Sequence, residues 1–185
     1  MKKVIINLLL VLPLVYLLSQ LFIFEVADPI KYIYTITGVT GTVILFLSIT
    51  ISMIKKRVNL IKYRRAIGLW GFFYAFLHML NFIIFDAQMS FSFVLEETLD
   101  KPFIYLGMIA MFILLFMAIT STKRLFKKFK KFHRAIYIAL LLITIHFVMA
   151  QKSINIELFI YVGVIILIGY YKLLQIIVRN NDIST

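Results

Sequence analysis

Long apolar stretches alternate with short charged segments along this 185-residue chain. The apolar stretches cover residues 4–24, 35–54, 66–85, 102–122, 132–150 and 158–178. An α-helix needs roughly 20 residues to cross a hydrocarbon core of about 30 Å. In that core every backbone N–H and C=O must be satisfied within the segment, which a helix does. The pattern therefore predicts an all-α integral membrane protein, a six-helix bundle in which residues 1–185 form a single transmembrane domain. The first stretch begins Lys2-Lys3 like a signal peptide. It is longer than a typical apolar signal region and has no clear small-x-small cleavage site, so it reads as a helix. Pro13 inside it is expected to kink it. The longest outer loop, DAQMSFSFVLEETLDK, is expected to lie on the membrane surface as a short helix.

Charge adds direction. The net charge is +12. Seventeen of the 20 Lys and Arg fall in Lys2-Lys3, KKRVNLIKYRR, KRLFKKFKKFHR, Lys172 and Arg179. The remaining bases, Lys31, Lys101 and Lys152, lie in the other loops. Basic loops stay on the cytoplasmic side, so both termini are expected there. The acids agree: Glu25, Asp28, Asp86, Glu96, Glu97, Asp100 and Glu157 fall outside, and Asp182 inside. Anionic lipid headgroups, not nucleic acid, are the expected partner of the basic face. Composition fits this reading, with 63% hydrophobic residues and a mean hydropathy of +1.00. Cysteine is absent, which excludes disulfides, thiolate-held iron–sulfur clusters and cysteine zinc sites.

Histidine is the remaining ligand type of note. Of three in the chain, His78 and His146 lie inside apolar stretches. His78 follows Arg65 by 13 residues, and His146 follows His133 by 13. At 1.5 Å per residue both imidazoles sit about 20 Å from the basic face. Two imidazoles at one depth on different helices can grip a metal or a haem. Intramembrane ionisable residues are functional candidates. The plainer alternative is a polar residue hydrogen-bonded to a neighbouring helix. No carboxylate lies within a predicted span except Asp86 at the rim, which argues against a hard divalent-cation site. A zinc site would call for a third or fourth ligand. Gly71 and Ala75 precede His78 on nearly its own face, and Ala139 and Ala150 flank His146. They would either admit a flat porphyrin or serve as helix contacts. His133 lies in a Lys-rich boundary, faced by Arg64 and Arg65 rather than by a histidine. A second bis-histidine site is therefore not available. A second haem would need His133 with Arg64, Arg65 or a water opposite. Lys152 is a candidate partner for a haem propionate, or a helix cap.

These segments carry a resemblance. ADPIKYIYTITGVTG, RRAIGLWGFFYAFLHMLNF, KPFIYLGMIAMFILLFMAITSTK and FKKFHRAIYIALLLITIHFVMAQK resemble the haem-binding membrane subunits of the periplasmic methionine sulfoxide reductase system, the MsrQ or YedZ family. The specific features are RR-x-x-GLW-x(7)-H and H-x(12)-H together. The resemblance implies a b-type cytochrome of the ferric reductase-like membrane superfamily in the bacterial inner membrane. It implies electrons drawn from the quinone pool or a cytosolic flavin reductase. They would pass to a periplasmic molybdopterin subunit that repairs oxidised envelope proteins. Family histidines match His78, His133 and His146, and FMN is a further cofactor of such subunits without residues assignable here. The chain stops soon after the sixth stretch, so its electron donor is expected to be separate. Rival readings are a stand-alone ferric or quinone reductase and a non-redox transporter or adaptor. Transporters mark their path with intramembrane polar groups and broken helices, and only Pro13 breaks a span here.

Overall fold

The computed structural model describes residues 2–54, 60–151 and, beyond these, only 159, 162–164, 166–167 and 170–171. All regular elements among them are helical. They are α1 (Lys2–Phe22), α2 (Pro29–Met53), α3 (Arg64–Asn81), α4 (Phe91–Asp100), α5 (Pro102–Ile119), α6 (Lys123–Phe129) and α7 (Ile136–Ala150). Five segments are long and apolar enough to cross a membrane: Lys3–Phe22, Pro29–Met53, Ile61–Asp86, Pro102–Ile119 and Phe132–Ala150. The protein is a multi-pass membrane protein. Of the expected sixth span, 158–178, only the eight residues 159, 162–164, 166–167 and 170–171 are described. Two compact units divide the chain, Met1–His146 and Phe147–Thr185, and the features below belong to the first.

The helix ends follow local chemistry. α2 starts earlier than the expected residue 35 because Asp28 caps it, accepting from the Lys31 N–H at 3.0 Å, with Pro29 in the first turn. A capping carboxylate and a proline that lacks an N–H both suit this position. A 3-10 turn, Ile61–Tyr63, leads into α3. At its other end α3 widens into a π turn, Phe82–Asp86. Gln88 and Met89 follow with left-handed φ of 47° and 62°. Ser90 then caps α4 by accepting from the Phe93 N–H. α4 is the short helix expected in the loop between the third and fourth stretches, with exposed Phe91, Leu95 and Leu99 along one side and Glu96, Glu97 and Asp100 on the other.

Glycine lets α2 and α3 approach closely. A Cβ on Gly41 would stand 3.1 Å from the Ala75 nitrogen, and one on Gly71 would stand 2.8 Å from Leu45 Cγ. Small residues serve helix contact in membranes, where no hydrophobic driving force pulls helices together. Gly71 and Ala75 thus take the helix-contact role of the two left open by sequence. Polar groups tie α1 to α3. Trp70 Nε1 donates to Asn7 Oδ1 at 3.2 Å. The Tyr74 hydroxyl, on a side chain with no exposure, donates to the Leu10 carbonyl at 2.8 Å and accepts from the Leu14 N–H at 3.1 Å. That turn adjoins Pro13, which has no N–H for the ladder. Tyr74 therefore braces α1 where proline weakens it. Leu10, Ile44, Ile51, Ile67 and Tyr63 pack around it.

A candidate two-histidine centre

His78 on α3 and His146 on α7 meet. Their ring centroids lie 6.1 Å apart, with planes at 87°. Equal depth puts them at one level, and the fold brings the two rings together edge-on.

Each imidazole is held in the same way. His78 Nδ1 is 3.2 Å from the Tyr34 carbonyl of α2. His146 Nδ1 is 2.6 Å from the Phe103 carbonyl of α5. A carbonyl only accepts, so each Nδ1 carries the proton and each Nε2 keeps its lone pair. A backbone carbonyl on one ring nitrogen commonly sets the tautomer of a metal-binding histidine. One helical turn beyond each of these carbonyls stands a glycine. A Cβ on Gly38 would lie 2.9 Å from His78 Nδ1, and a Cβ on Gly107 would lie 2.9 Å from His146 Nδ1. Only a bare backbone lets either ring settle against its helix. The residue supplying each carbonyl also packs its own ring on the imidazole. Tyr34 stands edge-on to His78 at 5.2 Å, and Phe103 lies 5.9 Å from His146.

The spacing fits one ion between the rings. Metal–imidazole bonds of about 2.0 Å, plus about 1.1 Å from nitrogen to ring centre on each side, require roughly 6.2 Å between centroids. Among the described residues no group of three or more His, Asp or Glu is placed to hold a metal. An ion held here must bring its remaining ligands with it. A haem does so, since its macrocycle fills the plane and leaves two axial positions for imidazoles. Zinc, which draws three or four ligands from protein, does not suit this donor set.

The other predicted residues lie elsewhere. His133 sits in the 3-10 turn Phe132–Ala135 before α7. Its Nε2 is 3.0 Å from Thr120 Oγ1, whose own proton goes to the Phe116 carbonyl at 2.7 Å. His133 must therefore donate from Nε2, which leaves Nδ1 as its unprotonated nitrogen. Phe126 packs edge-on to it at 4.8 Å. Arg64 is near enough for its charge to act on His133. Arg65 is exposed. Lys152 lies outside the described residues. Sequence reasoning did not pick out Gly38, Gly107 or the two carbonyl donors. The available sign was a glycine within each apolar helix preceding a histidine helix.

Comparison with known proteins agrees with this geometry. Residues 54–144 match the family described as ferric reductase like transmembrane component. The protein-methionine-sulfoxide reductase heme-binding subunit MsrQ of Agrobacterium fabrum is 30% identical over 154 residues, covering 80% of this chain and 72% of the relative. The chain belongs to the MsrQ family. The MsrQ proteins of Brucella anthropi and Brucella ovis are each 29% identical over 160 residues, covering 83% of this chain and 73% of theirs. No solved structure matches. The matched stretch 54–144 takes in α3 with His78, α5 with Phe103 and Gly107, and α7 up to two residues before His146.

Proposed function

We propose that this chain is a b-type cytochrome that delivers electrons across the bacterial inner membrane to a periplasmic methionine sulfoxide reductase. The observation that carries the reading is the His78–His146 pair, 6.1 Å apart with both Nδ1 atoms on carbonyls. The names of the matched relatives support it, since they are heme-binding subunits of a protein-methionine-sulfoxide reductase. His78 and His146 would hold haem iron through Nε2. When bound, the haem supplies one-electron transfer, with a potential tuned by its axial ligands.

The chain's own residues prepare that site. The Tyr34 and Phe103 carbonyls fix both tautomers, and Gly38 and Gly107 let the rings seat. Quinol in the bilayer is the proposed donor, with a cytosolic flavin reductase as the other source. The periplasmic molybdopterin subunit receives the electrons, and methionine sulfoxide binds there rather than to this chain. FMN, if carried, has no residues assigned. A second haem would draw on His133 with Arg64, Arg65 or a water. The nitrogen left free for it is Nδ1, because Thr120 engages Nε2. Both termini would then be cytoplasmic, on the basic side.

The test is haem content per protein, with reduced-minus-oxidised spectra, for three single variants. His78→Ala and His146→Ala each remove an axial ligand and should abolish the low-spin signal of the pair. His133→Ala should spare it. The reading fails if His133→Ala strips all haem from a still-folded protein while His78→Ala keeps it.

A further inference from the structure

The two sides of the histidine pair are built alike except at one point. Tyr34 and Phe103 do the same work: each gives its carbonyl to a histidine Nδ1, packs its ring on that imidazole, and precedes a seating glycine by one turn. Phe103 has nothing at the far end of its ring. Tyr34 has a hydroxyl, and it donates to Asp86 Oδ2 at 2.5 Å.

The backbone bends to allow this. Asp86 is eight residues beyond His78, and a straight α-helix would leave it about 80° away around the axis. The π turn Phe82–Asp86 takes up part of that angle. Its wider pitch is closed by the Ala87 N–H on the Phe82 carbonyl at 2.9 Å. Such π turns inside α-helices occur often at functional sites. Asn81, the last residue of α3, anchors the same junction by donating from Nδ2 to the Ile30 carbonyl at 3.2 Å. The start of α2 is thus pinned to α3 through Ile30, and Tyr34 is pinned at both its carbonyl and its hydroxyl.

We propose that the Tyr34–Asp86 hydrogen bond positions the His78 imidazole and makes the His78 side of the centre more electron-rich than the His146 side. Tyr34 and Asp86 are positioning residues, because they act through His78. The bond fixes the Tyr34 ring, and that ring is the edge against which the imidazole plane rests. The same bond fixes the carbonyl that polarises His78 Nδ1–H. Asp86 adds a negative charge on this side, and among the described residues no acid bonds to the equivalent Phe103, which has no hydroxyl to hold one. A negative charge and a more basic axial imidazole both favour the oxidised ion. The inference rests on the haem reading, and its test is separate.

Asp86→Asn and Tyr34→Phe each keep the side chain's shape, and Asp86 lies exposed at the rim, so both variants should retain haem. At a fixed ambient potential the ferrous-to-ferric ratio should rise about threefold to tenfold in Asp86→Asn, as expected for removing one partly screened charge at this range, and should move in the same direction in Tyr34→Phe, which keeps the charge but releases the ring and carbonyl that hold His78. A tenfold rise corresponds to a 59 mV shift for one electron. The low-spin electron paramagnetic resonance of the ferric form should also shift in Tyr34→Phe, because the imidazole plane is released. Combining the two substitutions should give less than the sum of the single effects, since Asp86 acts partly through the tyrosine. Wild-type potential and resonance in both single variants, with haem bound, would overturn the proposal. Loss of haem from the His variants but not from these two keeps the haem reading and this proposal distinct. Wild-type protein without haem would defeat the haem reading instead.

Discussion

Gly38→Ala adds one methyl group at the most exacting place in the fold. The new Cβ would stand 2.9 Å from His78 Nδ1 and 3.0 Å from its Cε1. Non-bonded carbon contacts relax only near 3.5 Å, so the ring or the helix must give by roughly half an ångström. The ring cannot retreat freely, since that lengthens the 3.2 Å bond to Tyr34 and shifts the imidazole relative to His146. Losing a bond that orients a metal-binding histidine typically costs about 10–100-fold in affinity. The opposing term is helix propensity, where alanine gains about 1 kcal/mol over glycine. Gly68→Ala isolates that term, because its Cβ would meet Ser48 Oγ at an ordinary 3.4 Å. The assay is haem titration into apo-protein together with thermal unfolding in the same detergent. Gly38→Ala should bind haem 10–100-fold more weakly while Gly68→Ala binds as wild type and melts no lower. Equal haem affinity in the two variants would refute the seating argument, and Gly107→Ala, with its 2.9 Å contact to His146, offers an independent repeat.

Two further outcomes follow from the same contacts. Tyr74→Phe removes the hydroxyl that donates to Leu10 O and accepts from Leu14 N–H, so unfolding in detergent should be easier by about 1–3 kcal/mol; an unchanged melting curve would mean that α1 closes its own ladder beside Pro13. Neutralising Glu96, Glu97 and Asp100 on α4 should slow electron delivery to the periplasmic partner and flatten its salt dependence, because rim charges act chiefly on association rate; stopped-flow reduction of the partner at several ionic strengths reads this, and unchanged rates would leave these acids a topological role alone.

How far the sequence could be read depends on which atoms did the work. The first five spans were legible because apolar length is a property of side chains, and Pro102 and Ala150 fall where the pattern put them. The start of α2 was not, since Lys31 reads as a loop base until Asp28 is seen capping the helix by accepting from its N–H. The pairing of His78 with His146 was legible as depth, because helical rise turns sequence distance from the basic face into height. The partners of those rings were not, because a main-chain carbonyl leaves no mark on sequence. Tyr34 and Phe103 look unrelated as residues, and only as backbone acceptors are they equivalent. The π turn was equally hidden: FIIFD differs in no obvious way from the apolar residues before it, yet it changes which way Asp86 faces.

The site is best understood as one device used twice. Each half pairs a helix offering a carbonyl and, one turn on, a glycine with a helix offering a histidine: α2 with α3, and α5 with α7. Two such halves set face to face give two neutral imidazoles with both lone pairs free, and they do so without placing a carboxylate in the hydrocarbon. That economy matters in a bilayer, where an unpaired charge costs several kcal/mol and a glycine in a helix costs only about 1 kcal/mol. Identical halves would hold an ion symmetrically. The tyrosine hydroxyl on one half and its bond to Asp86 break that symmetry at the rim, where water can stabilise the carboxylate. The duplication therefore builds the binding site, and the departure from it at Tyr34 is where its electronic character is open to adjustment.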